Sequence, residues 1–279
     1  MYPLRGLHKW GCLMDNTQWK QEAVHRYLLG ENTTELGRSY RVAGETVRNW
    51  LAAAGVSRRS RAELNRLYSY RLKAFQERTV EAAYYAGLLM ADGNITHNKR
   101  MLQIALHQRD LALLEGLREF LTYTGSITLF TRVHPSGVLS PMASLRITAP
   151  DVVQALRAWG VVPRKSRLGK YPTFIKGHPL EEFYLRGLFD GDGCVHLRPS
   201  GKLFLSFCGT PDVVDGFRDW CWRTCRQPGS LDQSPTYHVV RFGGKRAAQP
   251  VGLALYRGEG PRLLRKETLI TGGSNASKG

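Results

Sequence analysis

The sequence predicts an α+β protein: tandem pseudo-symmetric αββαββα units, preceded by a small all-α helix-turn-helix domain. Three observations lead there. From about residue 80 the order of apolar, alternating and amphipathic stretches repeats once. Each repeat opens with an apolar helix that holds a central glycine and ends in Asp-Gly. Ahead of them, residues 17–53 split into three short helical segments at Gly30-Glu31-Asn32 and Val42-Ala43-Gly44, the spacing of a helix-turn-helix. The boundaries expected are a helix-turn-helix domain at 1–61, a helical linker at 62–79, a first unit at 80–170, a second at 171–270 and a disordered tail at 271–279.

In the head, helices are expected at 18–29, 34–40 and 45–53. Leu36, Val42, Val47, Trp50 and Leu51 supply a small core, while Glu45, Thr46, Arg48 and Asn49 point outward, as residue types suited to a major groove. Arg58, Arg59 and Arg61 follow, placed to meet a phosphate backbone. The first unit reads as an apolar helix at 82–91, strands near Ile95 and at 101–107, a helix at 110–121, strands at 126–133 and 143–148, a helix at 151–159, and a basic close at Pro163-Arg164-Lys165-Ser166. The second repeats the order: helix 181–189, strands 195–197 and 203–207, helix 212–225, strand 237–242, helix 250–256, and a basic run at 262–266.

Composition narrows the partner. With 40 Lys plus Arg against 23 Asp plus Glu, the 279-residue chain carries a formal charge of +17, which points to a polyanion rather than a small metabolite. Cys194, Cys208, Cys221 and Cys225 lie in apolar or aromatic runs without Cys-x-x-Cys spacing, so they read as reduced core residues and not as a zinc set. No stretch approaches a membrane span and no apolar signal core opens the chain. The expectation is a protein of the cytoplasm or nucleoid, an organelle or a phage-infected cell, not secreted, with no membrane partner and no organic cofactor.

The chemistry sits at the two helix ends. The stretches are Tyr85-Ala86-Gly87-Leu88-Leu89-Met90-Ala91-Asp92-Gly93 and Leu185-Arg186-Gly187-Leu188-Phe189-Asp190-Gly191-Asp192-Gly193. A glycine inside a helix costs about 1 kcal/mol against alanine, a cost that makes sense if two backbones must approach closely. Gly87 and Gly187 would then form a pseudo-twofold seam that sets Asp92 and Asp192 side by side. Two close carboxylates at the negative ends of two helices repel, and a divalent cation relieves the conflict. Oxygen donors of this kind favour Mg²⁺.

Both nine-residue stretches resemble the LAGLIDADG motif, and the chain is similar to a monomeric, double-motif LAGLIDADG homing endonuclease over residues 80–270. The resemblance implies saddle-shaped antiparallel sheets over the DNA major groove. It implies metal-dependent hydrolysis of both strands at a long asymmetric double-stranded DNA target, the chemistry of intron homing, with Mg²⁺ or, as a substitute, Mn²⁺. Position by position, Asp92 and Asp192 match the metal ligands, and the carbonyls of Ala91 and Gly191 match the supporting ligands. Lys165 and Lys266 match the lysines near the scissile phosphates. The first motif departs from the pattern twice: Tyr85 stands for the first Leu, and Met90 for the sixth-position acid that the second motif keeps as Asp190.

Period-two alternation then nominates the DNA-facing side chains. These are Gln103, His107, Arg132, Ser144, Arg146 and Thr148 in the first unit; in the second, where alternation leaves the parity open, His196, Arg198, Lys202, Tyr237 and Arg241 are further candidates. Each arginine stays open between reading a base and holding a phosphate. Two alternatives also stand: a catalytically silent DNA-binding regulator on the same scaffold, and a maturase that binds intron RNA.

Overall fold

The computed structural model describes residues 16–28, 31–57, 68–96 and 100–272. The chain divides into two compact units between Leu67 and Tyr68.

The first unit has three helices, α1 (Asn16–Leu28), α2 (Thr33–Tyr40) and α3 (Gly44–Ala53). Asn32 starts α2 with a capping box: its side chain accepts from the Thr34 and Glu35 amides at 3.0 and 2.9 Å, and Glu35 accepts from the Asn32 amide at 3.2 Å. Arg41, left-handed at φ 52°, ends the helix and turns the chain into α3. Gly37 is needed at that turn, because a Cβ there would stand 2.7 Å from the Val42 carbonyl oxygen. Tyr27, Leu36, Val47 and Leu51 form the core, with Val42 and Trp50 partly buried against it. Arg58, Arg59 and Arg61 lie outside the described residues, as does most of the tail expected from 271 onward.

Residues 68–79 were expected to end a helical linker and instead form turns. Tertiary contacts override the local Arg/Leu-rich pattern. Phe75 and Ala74 are buried in the main core, the Arg71 amide donates to the Leu121 carbonyl at 2.7 Å, and the Trp159 indole donates to the Phe75 carbonyl at 2.9 Å. The remainder of that linker lies outside the described residues.

The second unit repeats one pattern twice. Its first half runs α4 (Val80–Asp92), β1 (Gly93–Ile95), β2 (Met101–His107), α5 (Leu111–Phe120), β3 (Thr128–Val133), β4 (Leu139–Thr148), α6 (Pro150–Leu156), then the short α7 (Lys165–Leu168). The second half runs α8 (Glu181–Asp192), β5 (Gly193–Leu197), β6 (Leu203–Gly209), α9 (Pro211–Cys225), β7 (Ser230–Gln233), β8 (His238–Gly243), α10 (Gly244–Leu255) and α11 (Leu264–Gly272). Each half holds a four-stranded antiparallel sheet, in the orders β1-β2-β4-β3 and β5-β6-β8-β7. This is the tandem α+β architecture expected.

Strand alternation sets which face meets the helices. In β2, Leu102, Ile104 and Leu106 are buried while Met101, Gln103, Ala105 and His107 stand on the opposite face. In β6, Leu203, Leu205 and Phe207 are buried in the same way. Three elements differ from expectation. The helix expected at 250–256 begins six residues earlier, with Pro250 tolerated inside α10. Strand β7 has only four residues and gave no alternation to read. The basic run at 262–266 leads into α11, whose Ile270 is fully buried beside Gly252.

Candidate active site and DNA-facing surface

Helix α4 is buried without interruption from Ala82 to Ala91, so it cannot be a surface helix and must pack on both sides. Its partner is α8. A Cβ on Gly87 would collide with the Tyr184 carbonyl oxygen and stand 2.9 Å from the Leu188 amide nitrogen; one on Gly187 would collide with the Tyr84 carbonyl and stand 2.8 Å from the Leu88 nitrogen. The two helix backbones touch at reciprocal positions about a pseudo-twofold axis. Packing this close leaves no room for any side chain at either glycine.

The seam delivers both helix ends to one place. A Cβ on Gly191 would stand 2.9 Å from Asp92 Oδ2, which puts the first carboxylate against the second helix end. Asp92 and Asp192 both reach solvent, yet the apolar seam below removes water from one side. That desolvation, with the charge of Asp192, pushes the Asp92 carboxyl up to about 6. Desolvation likewise raises Asp192, opposed by Lys165 and Lys266.

The groups that could hold a cation here, the two carboxylates and the carbonyls of Ala91 and Gly191, would offer it oxygen only. Among the described residues no three His, Cys, Asp or Glu side chains gather into a metal-binding group. This suits an ion that keeps several waters and takes the rest of its shell from a phosphate, as Mg²⁺ does. The Lys165 ammonium already donates to the Ala91 carbonyl, so a cation is accepted at that helix end.

Lys266 is placed differently. Its side chain is 4% exposed and donates to the carbonyls of Phe189, Asp190 and Gly193 at 2.6, 2.8 and 2.5 Å, while burial lowers its pKa to about 8. Two charged residues that the sequence reading left without a role hold the segment that carries it. Arg186, fully buried, donates to the Leu255 and Gly258 carbonyls at 2.6 and 2.8 Å. Asp190 accepts from the Tyr84 hydroxyl at 2.7 Å, from the Leu263 amide at 2.8 Å and from the Tyr256 hydroxyl. A charged residue inside an otherwise apolar motif was the available signal for both.

The sheet faces away from the helices carry most of the nominated DNA contacts. Gln103 and Arg146 are register partners across β2 and β4, with His107 opposite Met142 and Thr148 opposite Met101. Arg132, Arg146 and Thr148 are exposed. Ser144 is a correction: it shares their face but is only 4% exposed, because it sits mid-sheet between Ala105 on β2 and Thr128 on β3. On the second sheet His196 is exposed on β5, and Arg198 and Lys202 flank the β5–β6 turn. Tyr237 is half exposed, whereas Arg241 is engaged in an ion pair with Asp232 of β7. Phe130, Phe204 and Ser206 share these faces and were not nominated. In the separate three-helix unit, Glu45 and Asn49 are exposed and Thr46 half-buried, while Arg48 pairs with Glu45 at 2.6 Å.

The LAGLIDADG-like domain family matches residues 79–148, the stretch from the cap of α4 to the end of β4. The chain carries a LAGLIDADG-like domain. The second half repeats the order of its elements. No curated protein sequence matches the chain. Among solved structures, the homing endonuclease I-WcaI, bound to its DNA recognition sequence, is 14% identical over 77% of this chain and 96% of that one, with a TM-score of 0.51. The LAGLIDADG meganuclease I-AabMI, bound to uncleaved DNA, is 14% identical over 70% and 89%, with a TM-score of 0.43. Full-length DUF199/WhiA from Thermatoga maritima is 12% identical over 75% and 65%, with a TM-score of 0.46. At such identities what this chain shares with I-WcaI is the fold.

Proposed function

We propose that this LAGLIDADG protein is a monomeric, site-specific homing endonuclease that cuts both strands of a long, asymmetric double-stranded DNA target inside the cell. One observation carries the reading: the glycine-packed seam holds Asp92 and Asp192 together at the surface, flanked by lysines. Such a pair is costly to maintain, because burial and mutual repulsion both oppose its charge. Asp92 and Asp192 would hold Mg²⁺ or Mn²⁺ with the Ala91 and Gly191 carbonyls. A bound divalent ion lowers the pKa of water and stabilises charge on phosphate oxygens. The protein's own part is to hold the two strands across the seam and to set a lysine beside the phosphate charge. The sheet faces with Gln103, His107, Arg132, Arg146, Thr148, His196, Arg198 and Lys202 would lie along the major groove.

The test is cleavage of a supercoiled plasmid library containing DNA that flanks the gene, with Mg²⁺ and with EDTA, beside Asp92→Asn and Asp192→Asn. Discrete metal-dependent ends, absent from both variants, support the endonuclease. Tight duplex binding with no cutting under any divalent metal points instead to a regulator, a reading favoured by the three-helix unit with Glu45 and Asn49 exposed on α3. Specific intron RNA binding points to a maturase.

A further inference from the structure

The lysines that close the two halves occupy matching places in the repeat and are held in unlike ways. Lys266 is fixed from several sides. Its ammonium meets three carbonyls at the end of α8. The next residue back, Arg265, makes a bidentate pair with Asp110 of the first half at 2.9 and 3.0 Å. The chain leading to it is tied down by Arg186 and by Asp190 through Tyr256 and Leu263. With its three donors taken by three carbonyls, two of the bonds buried and the third partly so, Lys266 has none left for a phosphate.

Lys165 has none of these ties. It opens α7, a four-residue turn in which no residue is buried, after Arg164 in a left-handed conformation at φ 58°. Its ammonium meets a single carbonyl, that of Ala91, and its side chain lines an open cavity of about 260 Å³ with Asp192, Cys208 and Tyr237. The two halves also differ at the sixth motif position. Asp190 accepts three hydrogen bonds from the seam and the Lys266 segment, whereas Met90 places its terminal methyl near Gly169. The first-half segment is held beyond Lys165 instead, where the Thr210 hydroxyl donates to the Gly169 carbonyl at 2.8 Å and Asp212 accepts from the Tyr171 amide at 2.5 Å, and neither bond engages the Lys165 ammonium.

We propose that the two lysines do different work: Lys165 is the one lysine free to reach a scissile phosphate, Lys266 is a fixed cap of the second motif helix, and the two strands are therefore cut in order through a nicked intermediate. The order of cutting rests on the endonuclease reading; the division of labour between the lysines does not. In each cut the oxygen of water bonds to phosphorus and one P–O ester bond breaks. The attacking water gives up a proton to solvent, and the electron pair of the broken bond leaves with the sugar oxygen, which takes a proton from solvent. Only the strand within reach of Lys165 has an ammonium to offset the extra phosphate charge, so that strand goes first.

Two measurements on the full chain need no DNA. Amine acetylation followed by peptide mass spectrometry should label Lys165 faster than Lys266 by roughly tenfold or more, because Lys266 reacts only when its segment opens. Lys266→Met should lower the melting temperature by about 5 °C or more, and Lys165→Met by less than about 2 °C. Equal labelling, or Lys266→Met melting with the native chain, overturns the assignment. On a supercoiled plasmid that carries the target, nicked circles should accumulate before linear DNA, and Lys165→Met should slow the first nick by about 100-fold. Linear DNA formed without a nicked intermediate overturns the order of cutting. A native chain that cuts nothing defeats the endonuclease reading, while labelling and melting still decide what each lysine does.

Discussion

Asp92 carries its charge against resistance. Its carboxyl stands at about 6 because α4 and α8 exclude water beneath it and Asp192 adds repulsion. The raised value means that the group binds a proton as pH falls through about 6, and a protonated carboxyl is a poor metal ligand. Binding of Tb³⁺ alone, followed by luminescence, should therefore weaken as pH is lowered through about 6 and level off above it. Affinity that stays flat down to pH 4.5 would contradict this account. The acids and the motif glycines were readable in sequence because a nine-residue stretch that occurs twice, at 85–93 and 185–193, marks them. The roles of Asp190 and Arg186 were not, since each depends on acceptors or donors some seventy positions away, among Leu255, Tyr256, Gly258 and Leu263.

Helices α4 and α8 depend on contact between backbones rather than between side chains, which makes them intolerant of a single methyl group. Gly87→Ala and Gly187→Ala each place a Cβ on a facing carbonyl, and each should cost about 3 kcal/mol or more in urea unfolding. Either change also separates the helix ends, so Tb³⁺ affinity should fall with stability. Gly137→Ala, at a turn where a Cβ meets nothing, serves as the control for a change confined to backbone conformation at φ 80°. For the strands, sequence alternation identified the helix-packed side of β2 correctly, while the side of β6 was left open until the structure buried Leu203, Leu205 and Phe207. Alternation misjudged Ser144, because period two reports which face a residue lies on and not whether neighbours on that face cover it.

For the molecule as a whole, a formal charge of +17 predicts DNA binding that depends steeply on salt. Plotted as log affinity against log salt, duplex binding should fall with a slope near −0.9 for each phosphate neutralised. Thr46→Ala with Asn49→Ala, on the exposed side of α3, should weaken binding by about tenfold, while the rate at saturating DNA stays unchanged. Loss of rate at saturation would show that the three-helix unit takes part in cutting.

By itself the sequence determined the α+β repeat, the glycine seam, the paired acids and the basic character that selects a polyanion. These are local or periodic features, written in patterns of a few residues. Only the tertiary structure decided that residues 68–79 form turns rather than a helix, that Ser144 is covered, and that Lys266 is locked while Lys165 opens onto a cavity. The physical reason is common to all three. Each outcome depends on which distant group supplies a hydrogen bond or excludes water, and distance along the chain carries no record of that.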